Sequence, residues 1–416
     1  MKKLVSLILA LALILSATAA LADPKEINSK EKRKVKVNEA GLNPSAEEMI
    51  AMNISPTTGR LLDEIKVPDG YLGTAVTYKY QPIMVMISNA GGGMNTNSKG
   101  EPATAPINAK YADVVYEACQ ASSKGNGTLT RFTMVYSDVV PDYVGFVRST
   151  RLTHPRIRQE WDCAFCTSGY SKADVPAEWK RLKVKSPEGA TPDDPGLVYV
   201  GGYPKVWHKY VKRLYPASDA NSEIFELANI LKNIVPKNHK PANHTYKFTD
   251  TLPDGGDSGE IIYVQYGGKE KTDSQLEYDE KTNTYLRYVP MNNGKVKEFR
   301  EQVLVKPYIK KVAGKDPMVD AEKKKFGDVL SFSNVIIQSV EISFKKGGER
   351  PDAKLTGTGN ADYFMGGKHY KGVWKRKDYD SRTVFYGMDG NEISLLRGKT
   401  LIILMDFNNK RSVKYE

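Results

Sequence analysis

The stretch that most constrains this chain is the apolar run Arg131-Phe-Thr-Met-Val-Tyr136, followed shortly by Gly145-Phe-Val-Arg-Ser-Thr-Arg151. The run is short and continuous, as a buried strand is. After a brief connection, Arg148 and Arg151 stand beside Ser149 and Thr150, hydroxyl residues that can cap a helix start. Between positions 143 and 159 the sequence holds Arg148, Arg151, Arg156 and Arg158 and no acidic residue. Guanidinium forks match phosphate or carboxylate through two parallel hydrogen bonds. The free N–H groups of a helix start add to the attraction for an anion. The alternative is structural, with the arginines clamping Asp113 or Glu117 and holding layers together. Pro155 is expected to end or kink a helix begun at Ser149.

Strands and helical segments alternate around this stretch. Pro82-Ile-Met-Val-Met-Ile87 reads as a strand buried on both faces. It runs into Asn89-Ala-Gly-Gly-Gly93, a turn that could also cradle phosphate, although the Lys-Ser/Thr of a P-loop is missing. In Ala112-Asp-Val-Val-Tyr-Glu-Ala118, Asp113 and Glu117 would share a face at i, i+4 on a helix, and they are the acidic candidates for acid–base work. Further strands are expected over 163–168 and 197–200. Helices are expected over 177–183, 206–215 and 223–235, the last capped by Ser222. This interleaving predicts an α/β layered domain over residues 71–250.

Near Pro253 the character changes to alternating, aromatic-rich strands, with a hairpin through 279–283 and a second turn at Asp389-Gly390. Leu401-Ile-Ile-Leu-Met405 is expected as a final buried strand. The predicted class is therefore α+β: an N-terminal α/β layered domain, then a mostly antiparallel β domain over 251–416. Residues 23–70, polar and dotted with prolines, read as a spacer carrying a short helix near 46–52.

Lys2 and Lys3 precede an apolar run that ends in Ala20-Leu-Ala22, the layout of a cleaved secretory signal over residues 1–22. An uncleaved anchor is the alternative. No cysteine follows the run, so no lipid attachment is expected there. The formal charge of +12 falls to +10 once the two lysines are removed. A basic exported protein is drawn to anionic wall polymer or membrane surface. Most of its lysines also fit an ordinary solvated face, and no nucleic acid is expected as partner. Cys119, Cys163 and Cys166 form an odd set. They read as core thiols, with a disulfide involving Cys119 or a redox pair at Cys163 and Cys166 as alternatives.

The five histidines show no metal-ligand spacing, and there is no His-Glu-x-x-His, four-cysteine pattern or Gly-x-Ser-x-Gly elbow. No glycine-rich dinucleotide fingerprint follows a strand. Neither a metal nor a cofactor is expected.

Several motifs occur in a set order: Pro82-Ile-Met-Val-Met-Ile-Ser-Asn89, Ala112-Asp-Val-Val-Tyr-Glu117, Thr130-Arg-Phe132 and Gly145–Arg151. Leu276-Glu-Tyr-Asp279, Tyr285-Leu-Arg-Tyr288, Asn334-Val-Ile-Ile-Gln338, Gly372-Val-Trp-Lys375, Asp389-Gly-Asn-Glu392 and Arg397-Gly-Lys-Thr400 follow. Over roughly 75–408 the chain resembles the YerB-type bacterial lipoproteins, a family of unknown function with an N- and a C-terminal domain. It departs from that pattern in lacking the lipobox cysteine and in having Phe146 where proline is usual. It also lacks a histidine and a second glycine near Thr167 and Tyr170.

The first functional expectation is a non-catalytic envelope protein that binds an anionic wall polymer or lipid. Arg148, Ser149, Thr150 and Arg151 would make the contact, with Arg131, Asn89 and the Gly91–Gly93 turn contributing. The second is an enzyme on a wall polymer with Asp113 or Glu117 as acid or base. A third is a scaffold for a protein partner.

Overall fold

The computed structural model describes residues 23–39, 43–89, 96–123, 127–184, 198–200, 208–216, 222–267, 273–291, 295–344, 350–407 and 411–416. The signal-like segment 1–22 and the Gly91–Gly93 turn lie outside these residues. Among the described residues no helix is long and apolar enough to cross a membrane.

The chain is organised on one 11-stranded mixed sheet. Its main strands are β1 (Ile83–Ser88), β2 (Val114–Ser123), β3 (Gly127–Tyr136), β4 (Ala164–Thr167), β5 (Val198–Val200), β6 (Asn334–Ser339), β7 (Gly357–Met365), β8 (Lys368–Arg376) and β9 (Thr400–Met405). They lie side by side in the order β8-β7-β6-β9-β2-β3-β1-β4-β5, with Asp257–Ser258 and Val384–Gly387 flanking β8. β9, read from the sequence as a buried strand, is buried along its whole length. It has parallel neighbours on both sides, β6 and β2. That explains its unbroken apolar sequence, since a strand covered on both faces has no polar side to show. Each fully buried Leu or Ile there contributes about 1.5–3 kcal/mol, so one charged substitution at Ile402 would undo a central strand. The main sheet thus takes strands from both sides of residue 250.

A second sheet contains Ile261–Gln265, Ser274–Asp279, Thr284–Pro290 and Val296–Glu298, extended by Ser412–Tyr415 and Lys25–Glu26. The hairpin expected through 279–283 joins the second and third of these. Ile262, Leu276 and Tyr285 share a single hydrophobic cluster with the main sheet. Strands occupy 44% of the chain and helices 13%, so the fold is mostly β and the α+β class holds only loosely.

Residues from the polar N-terminal stretch are built into this body. Ile27 is buried, and the guanidinium of Arg33 reaches Asp362 at 2.9 Å and the Ala361 carbonyl at 2.7 Å. The helix Ala46–Ala51 starts with a reciprocal cap between Ser45 and Glu48.

Three helical expectations change. Residues 113–117 are not helical: Val114 opens β2, where β-branched and aromatic side chains fit the pleat. Asp113 and Glu117 are therefore separated along a strand by about 13 Å instead of by one helical turn. In the 206–215 region the described part is a short 3-10 turn, His208–Tyr210, followed by the strand Val211–Arg213. That strand pairs with Glu223–Glu226, so the helix expected from 223 begins only at Leu227. The interstrand ladder outweighs an amphipathic pattern that periodicity alone cannot assign.

Candidate functional site

β1 and β4 run parallel and pair at Ile83–Ala164, Met84–Phe165 and Val85–Cys166, and then part. The backbone of residues 146–150 fills the gap between their ends. Ser88 N donates to Phe146 O at 3.0 Å and Arg148 N to Met86 O at 2.9 Å. On the other side, Ser168 N donates to Arg148 O at 3.1 Å and Thr150 N to Gly169 O at 2.9 Å. The arginine stretch is thus fixed at the carboxyl ends of two parallel strands, the place where open α/β sheets hold ligands.

Ser149 and Thr150 do not cap a helix. Ser149 Oγ donates to Ser168 O at 3.2 Å, and Thr150, fully buried, turns its hydroxyl to Arg151 O at 3.3 Å. The helix α1 (Thr153–Trp161) starts later, with Leu152 at its N-cap and no side-chain cap. Pro155 falls in its first turn, where no N–H is needed, so it neither ends nor breaks the helix.

Arg131 sits on β3 opposite Ser88 of β1 and is 7% exposed. Its Nη1 donates to the Ser149 carbonyl. Burial, then the like charges of Arg151 and Arg148, pull its pKa down to about 8. Among the described residues no carboxylate lies within ion-pair distance of Arg131. Arg148 and Arg151 are half-buried beside it, and Arg151 Nη1 donates to Thr150 O at 3.0 Å. His154 of α1 completes the cluster. It is fully buried, with Nδ1 2.9 Å from Thr133 Oγ1 and Nε2 without a partner. Burial, Arg131 and Arg151 push its pKa to about 3, so the ring is neutral.

Neither acidic candidate is clamped by Arg131. Glu117 lies opposite Phe132, so its side chain leaves the face that Arg131 uses. Its Oε1 accepts from Asn89 Nδ2 at 3.0 Å and Thr130 Oγ1 at 2.8 Å. Its Oε2 is 3.5 Å from Arg287 Nη2, and both residues are fully buried. Asn89 therefore belongs to the Glu117 side of the sheet and not to the arginine cluster. Asp113 lies at the other end of the sheet. Its Oδ2 accepts from Thr57 Oγ1 at 2.9 Å, Ser137 N at 2.9 Å and Asp138 N at 2.8 Å.

Arg148, Ser149, Thr150, Arg151 and Arg131 are thus brought together, while Asn89, Glu117 and Asp113 are not part of that group. Sequence reading missed His154, Arg287 and Asp138. His154 carries no local spacing signal, and Arg287 meets Glu117 only through the packing of two sheets. Asp138 could have been noticed as an acid closing the buried β3 run.

These features define a two-domain fold in which both halves of the chain contribute strands to one sheet. The chain belongs to the family described as Protein of unknown function (DUF3048), whose N-terminal domain matches residues 72–191 and whose C-terminal domain matches residues 262–402. A solved structure similar to it is the crystal structure of YerB from Bacillus subtilis, at 19% identity with a TM-score of 0.56. That match covers 86% of this chain and 99% of the other, and at this identity it speaks for the fold alone. No curated protein matches the chain. The family resemblance read from the ordered motifs is borne out, for the two domains and the fold and not for the lipoprotein character.

Proposed function

We propose that this is an exported cell-envelope protein that binds an anionic ligand, a phosphate-bearing wall polymer or an anionic lipid surface, at the Arg131–Arg148–Arg151 cluster. The observation that carries the reading is Arg131: a buried guanidinium beside two like charges, with no carboxylate near it among the described residues. A buried charge without a counter-ion is costly, and an external anion would remove that cost. His154 supports the same reading. The single hydrogen of the Thr133 hydroxyl can go to Met86 Sδ, 3.3 Å away, or to His154 Nδ1. In the second arrangement Nε2 carries the ring proton and can donate to an anion.

Export rests on the signal-like residues 1–22 and is tested by fractionating cells that make the full chain. For the binding itself, the test is co-sedimentation with phosphate-bearing polymer and with phosphatidylglycerol vesicles across a salt series. The Arg148→Ala/Arg151→Ala variant should bind about tenfold more weakly, a loss near 1.4 kcal/mol, with a flatter salt dependence. Unchanged binding by the folded variant would overturn the reading. The enzymatic alternative has less support at Glu117, which is fully buried and paired with Arg287.

A further inference from the structure

At the opposite end of the sheet from the arginine cluster lies a pocket of about 320 Å³ lined by Thr58, Arg60, Lys110, Asp113, Asp138 and Lys399, among others. β1 separates the two regions by about 16 Å of strand. Asp113 and Asp138 are 4% and 3% exposed, and one hydroxyl, Thr57 Oγ1, lies 2.9 Å from the first carboxylate and 3.3 Å from the second. Ser55 and Thr58 donate to Asp138 at 2.5 and 2.6 Å. Among the described residues no cation lies within ion-pair distance of either carboxylate. Two buried acids in that setting cannot both remain ionised at small cost. Asp113 is the one with a free oxygen, since both oxygens of Asp138 accept hydrogen bonds and only Oδ2 of Asp113 does.

Where the proton on Asp113 sits follows from its hydrogen bonds. All three donors that reach Asp113 converge on Oδ2. Oδ1 accepts none, so the acid proton belongs on Oδ1, the oxygen left for the pocket, and turns it into a donor. Burial, then Asp138, raises the Asp113 pKa well above its usual range, in agreement with this placement.

The basic residues of the pocket divide into two kinds. Lys110 is occupied by Asp328 at 3.0 Å and Glu301 at 3.6 Å. Lys399 and Arg60 have no ion pair among the described residues. Lys399 Nζ makes one long hydrogen bond of 3.3 Å, to the Lys110 carbonyl, and lies 6.0 Å from the centre of the Phe332 ring. Its position is set by the sheet: Thr400 N donates to Asp113 O at 2.9 Å, which seats Lys399 beside Asp113 where β9 and β2 begin.

We infer that this pocket is a second ligand site, which takes the oxyanion of a small molecule, a carboxylate or a phosphate monoester, between Lys399, Arg60 and the Oδ1 hydroxyl of Asp113. Arg60, Lys399 and the Asp113 hydroxyl meet on this wall, and an oxyanion is the partner that accepts from all three; Glu64, the further acid of the lining, is exposed to solvent. A neutral carboxylic acid held as a donor in this way has precedent in oxyanion-binding sites. A volume of about 320 Å³ suits a small molecule and not a polymer, which separates this site from the arginine cluster.

The test is titration of the full chain with glycerol 3-phosphate, glycerate and glycerol, followed by calorimetry. One or both anions should bind and glycerol should not, and the pair tells phosphate from carboxylate. Lys399→Met should weaken binding at least about tenfold, which is 1.4 kcal/mol. Asp113→Asn keeps a neutral donor facing the pocket and should stay within about threefold of the parent. Arg148→Ala/Arg151→Ala should leave this binding unchanged while losing the polymer, so either reading can fail alone. The inference is overturned if neither anion binds at millimolar concentration or if Lys399→Met binds as the parent does. Loss of binding in a folded Asp113→Asn variant also overturns it, as an ionised Asp113 would then be required.

Discussion

The Glu117 carboxylate and the Arg287 guanidinium face each other at 3.5 Å with neither side chain exposed, and they join the N-terminal strands to the C-terminal sheet. Arg287 lies between the rings of Phe132 and Phe299, at 5.1 and 4.5 Å, and none of its three side-chain nitrogens completes a hydrogen bond. Removing one member of such a pair strands the other charge in the core. Arg287→Met should therefore cost about 3–5 kcal/mol in urea unfolding. The double variant Arg287→Met/Glu117→Gln should recover much of that loss, because no charge is left unpaired. Simple addition of the two single costs would refute this account.

The three cysteines are free and buried, which agrees with their reading as core thiols. Burial pushes the Cys119 and Cys163 thiols up to about 12 and also raises Cys166 well above the usual thiol value. Thiolate is the reactive form, so a thiol reagent at pH 8 should label none in the folded protein and all three in denaturant. Rapid labelling of Cys163 or Cys166 in the native state would restore the redox alternative.

How far the sequence carried this picture depends on range. The strands at 83–88, 131–136 and 401–405 were legible because burial on both faces leaves a continuous apolar run. The Arg148–Arg151 group was legible because its members are neighbours in the chain. Asp113 and Glu117 were considered as sharing one face of a helix, but a strand also puts i and i+4 on one face, and periodicity over so short a run does not separate the two. Partners distant in the chain left no trace. Nothing local links Thr57 to Asp113, Lys399 to Asp113, or Arg287 to Glu117, and each pairing exists only once the sheet is assembled.

The buried acid pair makes stability depend on pH. Burial raises the folded-state pKa of both Asp113 and Asp138 above their unfolded values. The folded chain then holds protons that the unfolded chain releases, so their contribution is present at low pH and is lost as pH rises through the folded values. Asp113→Asn removes one of these acids while keeping acceptor and donor. Relative to the parent it should gain stability progressively between pH 5 and pH 9, read from urea midpoints at each end. A constant difference across that range would show that Asp113 is ionised in the fold.

His154 acts in the opposite direction. Its folded-state pKa of about 3 lies below the ordinary histidine value, chiefly through burial and then through Arg131 and Arg151. His244, stacked on Trp161 at 3.8 Å, is likewise lowered, to about 4. Between pH 6.5 and these values the unfolded chain binds protons that the folded chain excludes. Stability from the histidines is therefore complete above pH 6.5 and falls with acid, by about 1.4 kcal/mol per pH unit for each ring. Replacing His154 with Gln keeps a hydrogen-bonding group near Thr133 but removes the titration. Between pH 6 and pH 4.5 the variant should lose less stability than the parent, by about 2 kcal/mol over that span. An anion bound beside Arg131 would oppose the two like charges that help to lower His154. Saturating phosphate-bearing polymer should then reduce the parent's acid loss and leave that of His154→Gln unaltered. Equal acid losses in parent and variant would place His154 outside the cluster's electrostatics.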